Sequence, residues 1–288
     1  MPTAEHKDDC RTVLLHGLAG RGKSNLAACS PQPHAVLCVD RPSVVHPIKG
    51  TPGYDPSQTF WTTYQEVLTD VDLAKGKQDP TKNIADHILA DLMALKTAMM
   101  RKEAEVKIKS HLGDEIWPLP RTIIVEGADF IVRHIESWLC ATHKKPSMAE
   151  WAKGEENRWF PYQLRALKLQ PIYDLLTFLP SAHLCNVVVT TGLDEEEKQE
   201  RINGKLETIK TGKIDPELGG KFSRTMPRNF NDCFLCTVEA DKWWVVTQPT
   251  GRYTGYRGIR SSEFLPAMRD MTIDPKNPTN LWDKLFGN

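Results

Sequence analysis

The stretch from Gly17 to Ser24 combines glycines, a lysine and a hydroxyl side chain in the order Gly-Leu-Ala-Gly-Arg-Gly-Lys-Ser. This order matches G-x-x-x-x-G-K-[S/T], a loop whose backbone N–H groups and lysine surround phosphate oxygens while its hydroxyl binds Mg²⁺. The apolar run 12–16 precedes it, and residues 25–28 are able to begin a helix, as such a loop requires. The pattern predicts binding of ATP with Mg²⁺. The residues expected to contact the nucleotide are Gly17, Leu18, Ala19, Gly20, Arg21, Gly22, Lys23, Ser24 and Asn25.

Hydrolysis of ATP needs more than the lysine, because an acid must hold Mg²⁺ or polarise the attacking water. Lys23 is expected to neutralise the β- and γ-phosphates. Glu126 follows the apolar run 122–125, so it is the first candidate for the acid, with Ser24 as its fellow Mg²⁺ ligand. Asp129 is the alternative acid. A glutamate that merely leaves the sheet would produce the same pattern.

Two more positions end predicted strands at the same edge of the sheet. Asp40 ends the apolar run 35–40 and is expected to orient water, although a turn-forming Asp fits nearly as well. Thr191, with Thr190 before it, ends a fourth run and is expected to bond the γ-phosphate or the water. A threonine in a sheet needs no such role, so both interpretations stay open.

The elements that must position these residues form a repeating pattern. Apolar runs separated by segments of helical periodicity predict a mainly parallel α/β sheet, and two late β-like runs predict a C-terminal antiparallel hairpin. We expect one domain over 1–288, with a core of about 11–262, a helical insertion of about 45–115 and a tail over 263–288. The predicted strands are 12–16, 35–40, 122–126, 185–191, 232–239 and 242–248, and the predicted helices are about 80–110, from 130, and 163–179.

Composition excludes several classes of function. The 288 residues carry a formal charge of zero, so any nucleic-acid contact must come from a local patch. Neither a signal region nor an apolar stretch of membrane-spanning length is evident, so we expect a cytoplasmic protein that has no membrane partner. The seven cysteines indicate packing in a reducing compartment, and the pair Cys233 and Cys236 is interpreted as core rather than a zinc site.

Taken in order, these motifs resemble the RecA-type recombination ATPases, and most closely the small phage-encoded members that assist single-strand annealing. Besides the loop, residues 219–232 are similar to the stretch that leads into the family's hairpin, and residues 247–260 to its exit. The resemblance covers most of 11–262 outside the insertion. It implies a RecA-like core with helices on both faces of the sheet, single-stranded DNA as a partner, a homo-oligomeric ring or filament, and host cytoplasm if the protein is viral.

The resemblance also implies two DNA-binding segments, at about 142–160 and 194–228. The first holds cations beside Trp151, Trp159 and Phe160, a combination that suits phosphate contacts and base stacking. Residues 203–228 carry a net charge of +3. Ordinary solvated loops would show the same composition. The DNA-binding candidates are Lys144, Lys145, Lys153, Arg158, Lys205, Lys210, Lys213, Lys221 and Arg224.

In an assembled ring or filament, the resemblance places Arg257 or Arg260 at a neighbour's ATP, with Arg252 as second choice. The chain departs from the family in having Glu126 where Asp is usual, Pro42 where a water-activating Glu often stands, and Arg where Lys is common. We therefore expect slow turnover, or switching by binding alone. A small-molecule or nucleoside kinase and a nucleotide-switched assembly or DNA-packaging protein are the alternative functions.

Overall fold

The structure, a computed structural model, describes residues 10–39, 51–64, 83–110, 113–202, 205–247, 268–274, 276 and 278–286. Asp40, Arg252, Arg257 and Arg260 lie outside the described residues. The described strands are β1 (Thr12–His16), β2 (His34–Cys38), β3 (Thr59–Thr63), β4 (Glu105–Ser110), β5 (Gly113–Pro118), β6 (Thr122–Glu126), β7 (Asn186–Thr191), β8 (Leu193–Ile202), β9 (Lys205–Pro216), β10 (Asp232–Glu239), β11 (Lys242–Val246) and β12 (Met268–Asp270).

The fold is mixed α/β, with a mostly parallel sheet of eight strands and an antiparallel C-terminal part. The strand order is β12-β11-β10-β1-β7-β6-β2-β3, and β4-β5 and β8-β9 form separate two-stranded sheets. The described helices are α1 (Lys23–Ala28), α2 (Ile84–Arg101), α3 (Ala128–Thr142), α4 (Met148–Gly154), α5 (Phe160–Ser181), α6 (Lys221–Thr225) and α7 (Leu281–Phe286). Within the described ranges, none of the helices is long and apolar enough to cross a membrane.

The chain divides into two compact units, each built from separated segments. Among the described residues, unit 1 contains 10–12, 31–39 and 55–188, and unit 2 contains 13–30, 51–54 and the residues from 189 onward.

In unit 1, β2 pairs in parallel with β6 on one side and β3 on the other. Both β2 and β6 are buried along their whole length, which is why they read as continuous apolar runs. α2 begins at a reciprocal cap, in which the Asn83 side chain accepts from the Asp86 N–H and the Asp86 carboxylate accepts from the Asn83 N–H. Lys168 of α5 donates to the same Asp86 at 2.9 Å, which joins the two helices.

In unit 2, β10 pairs in parallel with β1 and antiparallel with β11, which pairs in turn with β12. The hairpin turn consists of Ala240 and Asp241, both with positive φ (49° and 61°), the pair of conformations that a two-residue hairpin turn favours. The C-terminal helix α7 packs on the same sheet through Phe286, whose ring centroid lies 6.1 Å from that of Phe234 in β10. The strand β12 and the helix α7 therefore belong to unit 2, and Met271, Leu281 and Leu285 are buried in its core.

The strands predicted at 12–16, 122–126 and 232–239 have the observed bounds, and the predicted α/β class with a C-terminal hairpin is confirmed. The helix predicted over about 80–110 is wrong beyond Arg101, because Glu105–Ser110 is β4. There Val106 and Ile108 are buried while their neighbours Glu105 and Lys107 are exposed, which is the alternation of a strand. The predicted insertion also contains β3, which pairs with β2 in the main sheet.

Candidate functional site

The phosphate loop, defined as Gly17 to Ser24, has a positive φ at each of its three glycines, Gly17, Gly20 and Gly22. Gly17 has φ 156°, and a Cβ at this residue would lie 2.4 Å from the carbonyl oxygen of Cys236 in β10. Gly22 has φ 82° and is the residue from which α1 starts. Both conformations are costly for residues with a side chain. The glycine spacing in the sequence therefore corresponds to real constraints on the chain.

Lys23 is the first residue of α1, and its side chain folds back over the loop. Its Nζ donates to the carbonyl oxygens of Gly17 at 2.7 Å and Leu18 at 2.9 Å. The tip of the loop is open, since Leu18 is 57% exposed and Ala19 and Gly20 are also exposed. An ammonium group held over an exposed glycine turn fits an anionic phosphate, and the neighbouring Ser24 supplies the hydroxyl oxygen that Mg²⁺ prefers.

His16, the residue directly before the loop, is a feature that the sequence analysis missed. Its ring is fully buried, and among the described residues neither ring nitrogen has a hydrogen-bond partner. Burial, with a smaller contribution from the charge of Lys23, lowers the pKa of His16 to about 3. The ring is therefore neutral at physiological pH. The only signal in the sequence was a histidine at the end of an apolar strand.

Thr191 ends β7, as predicted, but its hydroxyl has a structural partner. It donates to the carbonyl oxygen of Glu217 at 2.5 Å, which ties the end of β7 to the segment after β9. The preceding Thr190 is also buried. The role of Thr191 at the γ-phosphate remains a prediction, and this hydrogen bond would have to change for the hydroxyl to serve it.

Glu126 lies in unit 1, where it is buried at the end of β6. Its backbone carbonyl accepts from the Val39 N–H at 2.9 Å, and Gly127, with φ 80°, turns the chain into α3. The alternative acid, Asp129, lies in the first turn of α3 and pairs with Arg133 at 3.7 Å. The strand-end position of Glu126 is as predicted, while its role in holding Mg²⁺ remains a prediction.

The segment 142–160 in unit 1 contains α4 and the turns on either side of it. Trp151 is buried, and its Nε1 donates to Glu155 at 2.7 Å, so the expectation that Trp151 stacks on bases is wrong. Its ring packs against those of His143 and Phe160. Trp159, by contrast, is 71% exposed, and Phe160 is 39% exposed. Trp151 of α4 is therefore a core residue, while Trp159, which precedes α5, lies on the surface.

The four predicted cations of this segment differ in their surroundings. Lys153 pairs with Glu150 at 2.7 Å, and Lys145 lies 3.9 Å from Glu155. Lys144 and Arg158 are exposed, and their side chains form no ion pair with the residues that the structure describes. We call the exposed set the 144–160 surface; it consists of Lys144, Lys153, Arg158, Trp159 and Phe160.

The second predicted DNA segment, 194–228, is largely an antiparallel hairpin rather than a loop. The register places Lys210 opposite Glu197 and Lys205 opposite Ile202. Lys213 also lies in β9, and Lys221 and Arg224 belong to the short helix α6. β8 is an almost continuous run of charged and polar residues from Asp194 to Arg201, so it carries little hydrophobic signal and the sequence did not predict it as a strand.

The sequence matches no protein-family model, and no curated protein is similar to it in sequence. Among solved structures, the fold is similar to that of the RadB recombinase, with a TM-score of 0.41, 10% identity, and coverage of 92% of this chain and 87% of that chain. It is also similar to a KaiC-like protein from the hyperthermophilic archaeon Pyrococcus horikoshii OT3, with a TM-score of 0.36, 10% identity, and coverage of 92% and 86%. At 10% identity these similarities say nothing about activity. The proposed function below is based on the residues of this chain.

Proposed function

We propose that the chain is a RecA-like ATPase, folded as a single domain, that binds and hydrolyses ATP and acts on single-stranded DNA in recombination, annealing or repair. The observation that carries the proposal is the phosphate loop, in which Lys23 is held over the carbonyls of Gly17 and Leu18. Bound Mg²⁺ would supply charge neutralisation at the phosphates. The chain itself would contribute the loop N–H groups, the Lys23 ammonium and the Ser24 hydroxyl, and we propose Glu126 as the acid from β6.

The 144–160 surface supports the DNA part of the proposal. Single-stranded nucleic acid is bound without sequence preference by cations that track the backbone and aromatic rings on which bases stack. Exposed Trp159 and Phe160, together with Arg158 directly before them and Lys144 in the same segment, provide both kinds of group. The phage-type role, assembly into a ring or filament, and an arginine such as Arg257 or Arg260 acting on a neighbour's ATP belong to the proposal as well, from the family resemblance.

The direct test is ATP turnover with and without a single-stranded oligonucleotide, measured beside particle mass. We expect turnover that rises with DNA and is absent in Lys23→Ala. Turnover that rises instead with a small phosphate acceptor would establish a kinase. Nucleotide-dependent assembly that DNA does not alter would favour an assembly or packaging protein, and in either case the recombination proposal would be wrong.

A further inference from the structure

β11 carries two consecutive tryptophans, which point to opposite faces of the sheet because side chains alternate along a strand. The ring of Trp243 lies against the phosphate loop. A Cβ built on Gly22 would meet the Cε3 and Cδ2 atoms of this ring at 3.2 and 3.3 Å. Gly22, the residue directly before Lys23, therefore packs against the indole ring of Trp243. Trp244 lies on the other face of the same strand.

Trp243 is held in place by the C-terminal segment, defined as residues 268–274, 276 and 278–286. The backbone N–H of Trp243 donates to the Thr272 hydroxyl at 3.0 Å, and the backbone carbonyl of Trp243 accepts from the Met271 N–H at 2.7 Å. Next to it, Lys242 pairs with Asp270 at 3.3 Å. Because Trp243 also pairs with Val238 of β10, its backbone is fixed on both sides.

The same segment reaches the other end of α1. Helix α7 contacts α1, and the backbone of Leu281 lies beside the thiol of Cys29, the residue that follows α1. The Asn280 side chain fills the space beside Gly53, where an added Cβ would come within 2.1 Å of it. The C-terminal segment thus contacts α1 directly and reaches Gly22, the residue before α1, through Trp243.

We propose that Trp243 is a positioning residue of the phosphate loop and that the C-terminal segment holds it there. The inference rests on the proposed binding of ATP by this loop. Gly22 occupies a left-handed conformation, and a glycine has many other conformations available to it. The indole ring of Trp243 excludes the conformations of Gly22 that would move its backbone toward the ring. The loop therefore loses less conformational entropy when phosphate binds.

The test compares Trp243→Ala with Trp244→Ala, a matched control because both tryptophans are half-buried on one strand. In nucleotide-free protein, amide hydrogen exchange over residues 17–24 is expected to accelerate in Trp243→Ala and not in Trp244→Ala. The Kd for Mg–ATP, measured by calorimetry, is expected to rise about tenfold in Trp243→Ala alone, which corresponds to ~1.4 kcal/mol. Trp243→Phe, which keeps an aromatic ring, should recover most of the affinity.

Unchanged exchange in Trp243→Ala, or equal acceleration in Trp244→Ala, would overturn the proposal. If the alanine variant does not fold, Thr272→Val provides the second test, because it removes the hydroxyl that accepts from Trp243. This variant should accelerate exchange over 17–24 in the same direction, and exchange equal to wild type would overturn the holding role. A wild-type protein that binds no ATP would refute the proposed function, while the exchange measurement would still decide the role of Trp243.

Discussion

The phosphate loop and the 144–160 surface differ in what places their functional groups. The loop is contiguous, and its chemistry lies in backbone conformations that Gly17 and Gly22 permit. The surface depends on which side chains the packing leaves exposed, and it buries Trp151 while exposing Trp159. A motif that depends on backbone geometry can be recognised from residue types. The side chains that form a surface can be identified only once the tertiary packing is known.

The largest expected effect is that of Lys23→Ala, which should abolish ATP binding at the phosphate loop and leave DNA binding by the 144–160 surface intact. Lys23→Ala removes the ammonium that covers the Gly17 and Leu18 carbonyls, so ATP affinity is expected to fall on the order of 100-fold or more, with loss of turnover. DNA binding without nucleotide, measured by fluorescence anisotropy, should be unchanged. Normal turnover in this variant would contradict the loop assignment.

The second effect tests the surface. Trp159→Ala is expected to weaken binding of a single-stranded oligonucleotide by about 1–3 kcal/mol, the usual range for a lost base stack. Trp61→Ala is the control, because Trp61 is another exposed tryptophan of unit 1, located on β3. Equal losses in the two variants, or none in Trp159→Ala, would remove the 144–160 surface from the DNA proposal.

The third effect concerns the residue at the base of the loop. His16 has a pKa of about 3 in the folded protein, against about 6.5 in an unfolded chain. Between these values the unfolded chain binds more protons, so the stability present above about pH 6.5 is lost as pH falls toward 3.

His16→Leu should therefore flatten the pH dependence of the free energy of unfolding by up to ~1.4 kcal/mol per pH unit in that window. Urea unfolding followed by circular dichroism at several pH values measures this slope. Parallel curves for the variant and the wild type would show that His16 does not stay neutral when buried.

The smallest effect asks whether Thr191 is structural or catalytic. Thr191→Val removes the hydroxyl that donates to the Glu217 carbonyl, so we expect a loss of ~1 kcal/mol in the free energy of unfolding. Thr191→Ser should restore it. If Thr191→Val instead keeps its stability and loses ATP turnover, the Thr191 hydroxyl acts on the phosphate, as the sequence predicted.

The sequence predicted the elements whose pattern is strong on its own. β6 is a continuous apolar run, and the turn at Ala240 and Asp241 separates two clear strands. Elements that depend on partners were missed. β3 becomes a strand through its pairing with β2, and β8 and β9 are charged strands that pair with each other. The contact between Trp243 and Gly22 joins residues far apart in the chain, so no local pattern could have indicated it.

Two buried cysteines flank the phosphate loop and α1: Cys236 lies against Gly17, and Cys29 follows α1. Burial raises the pKa of the Cys29 and Cys236 thiols to about 11 and about 12, so hardly any thiolate exists at neutral pH. Alkylating reagents attack the thiolate of an accessible cysteine and spare the buried thiol. The rate at which a maleimide modifies Cys29 and Cys236 would therefore report how often the structure around them opens locally. A bound ligand that reduces this opening would slow the modification.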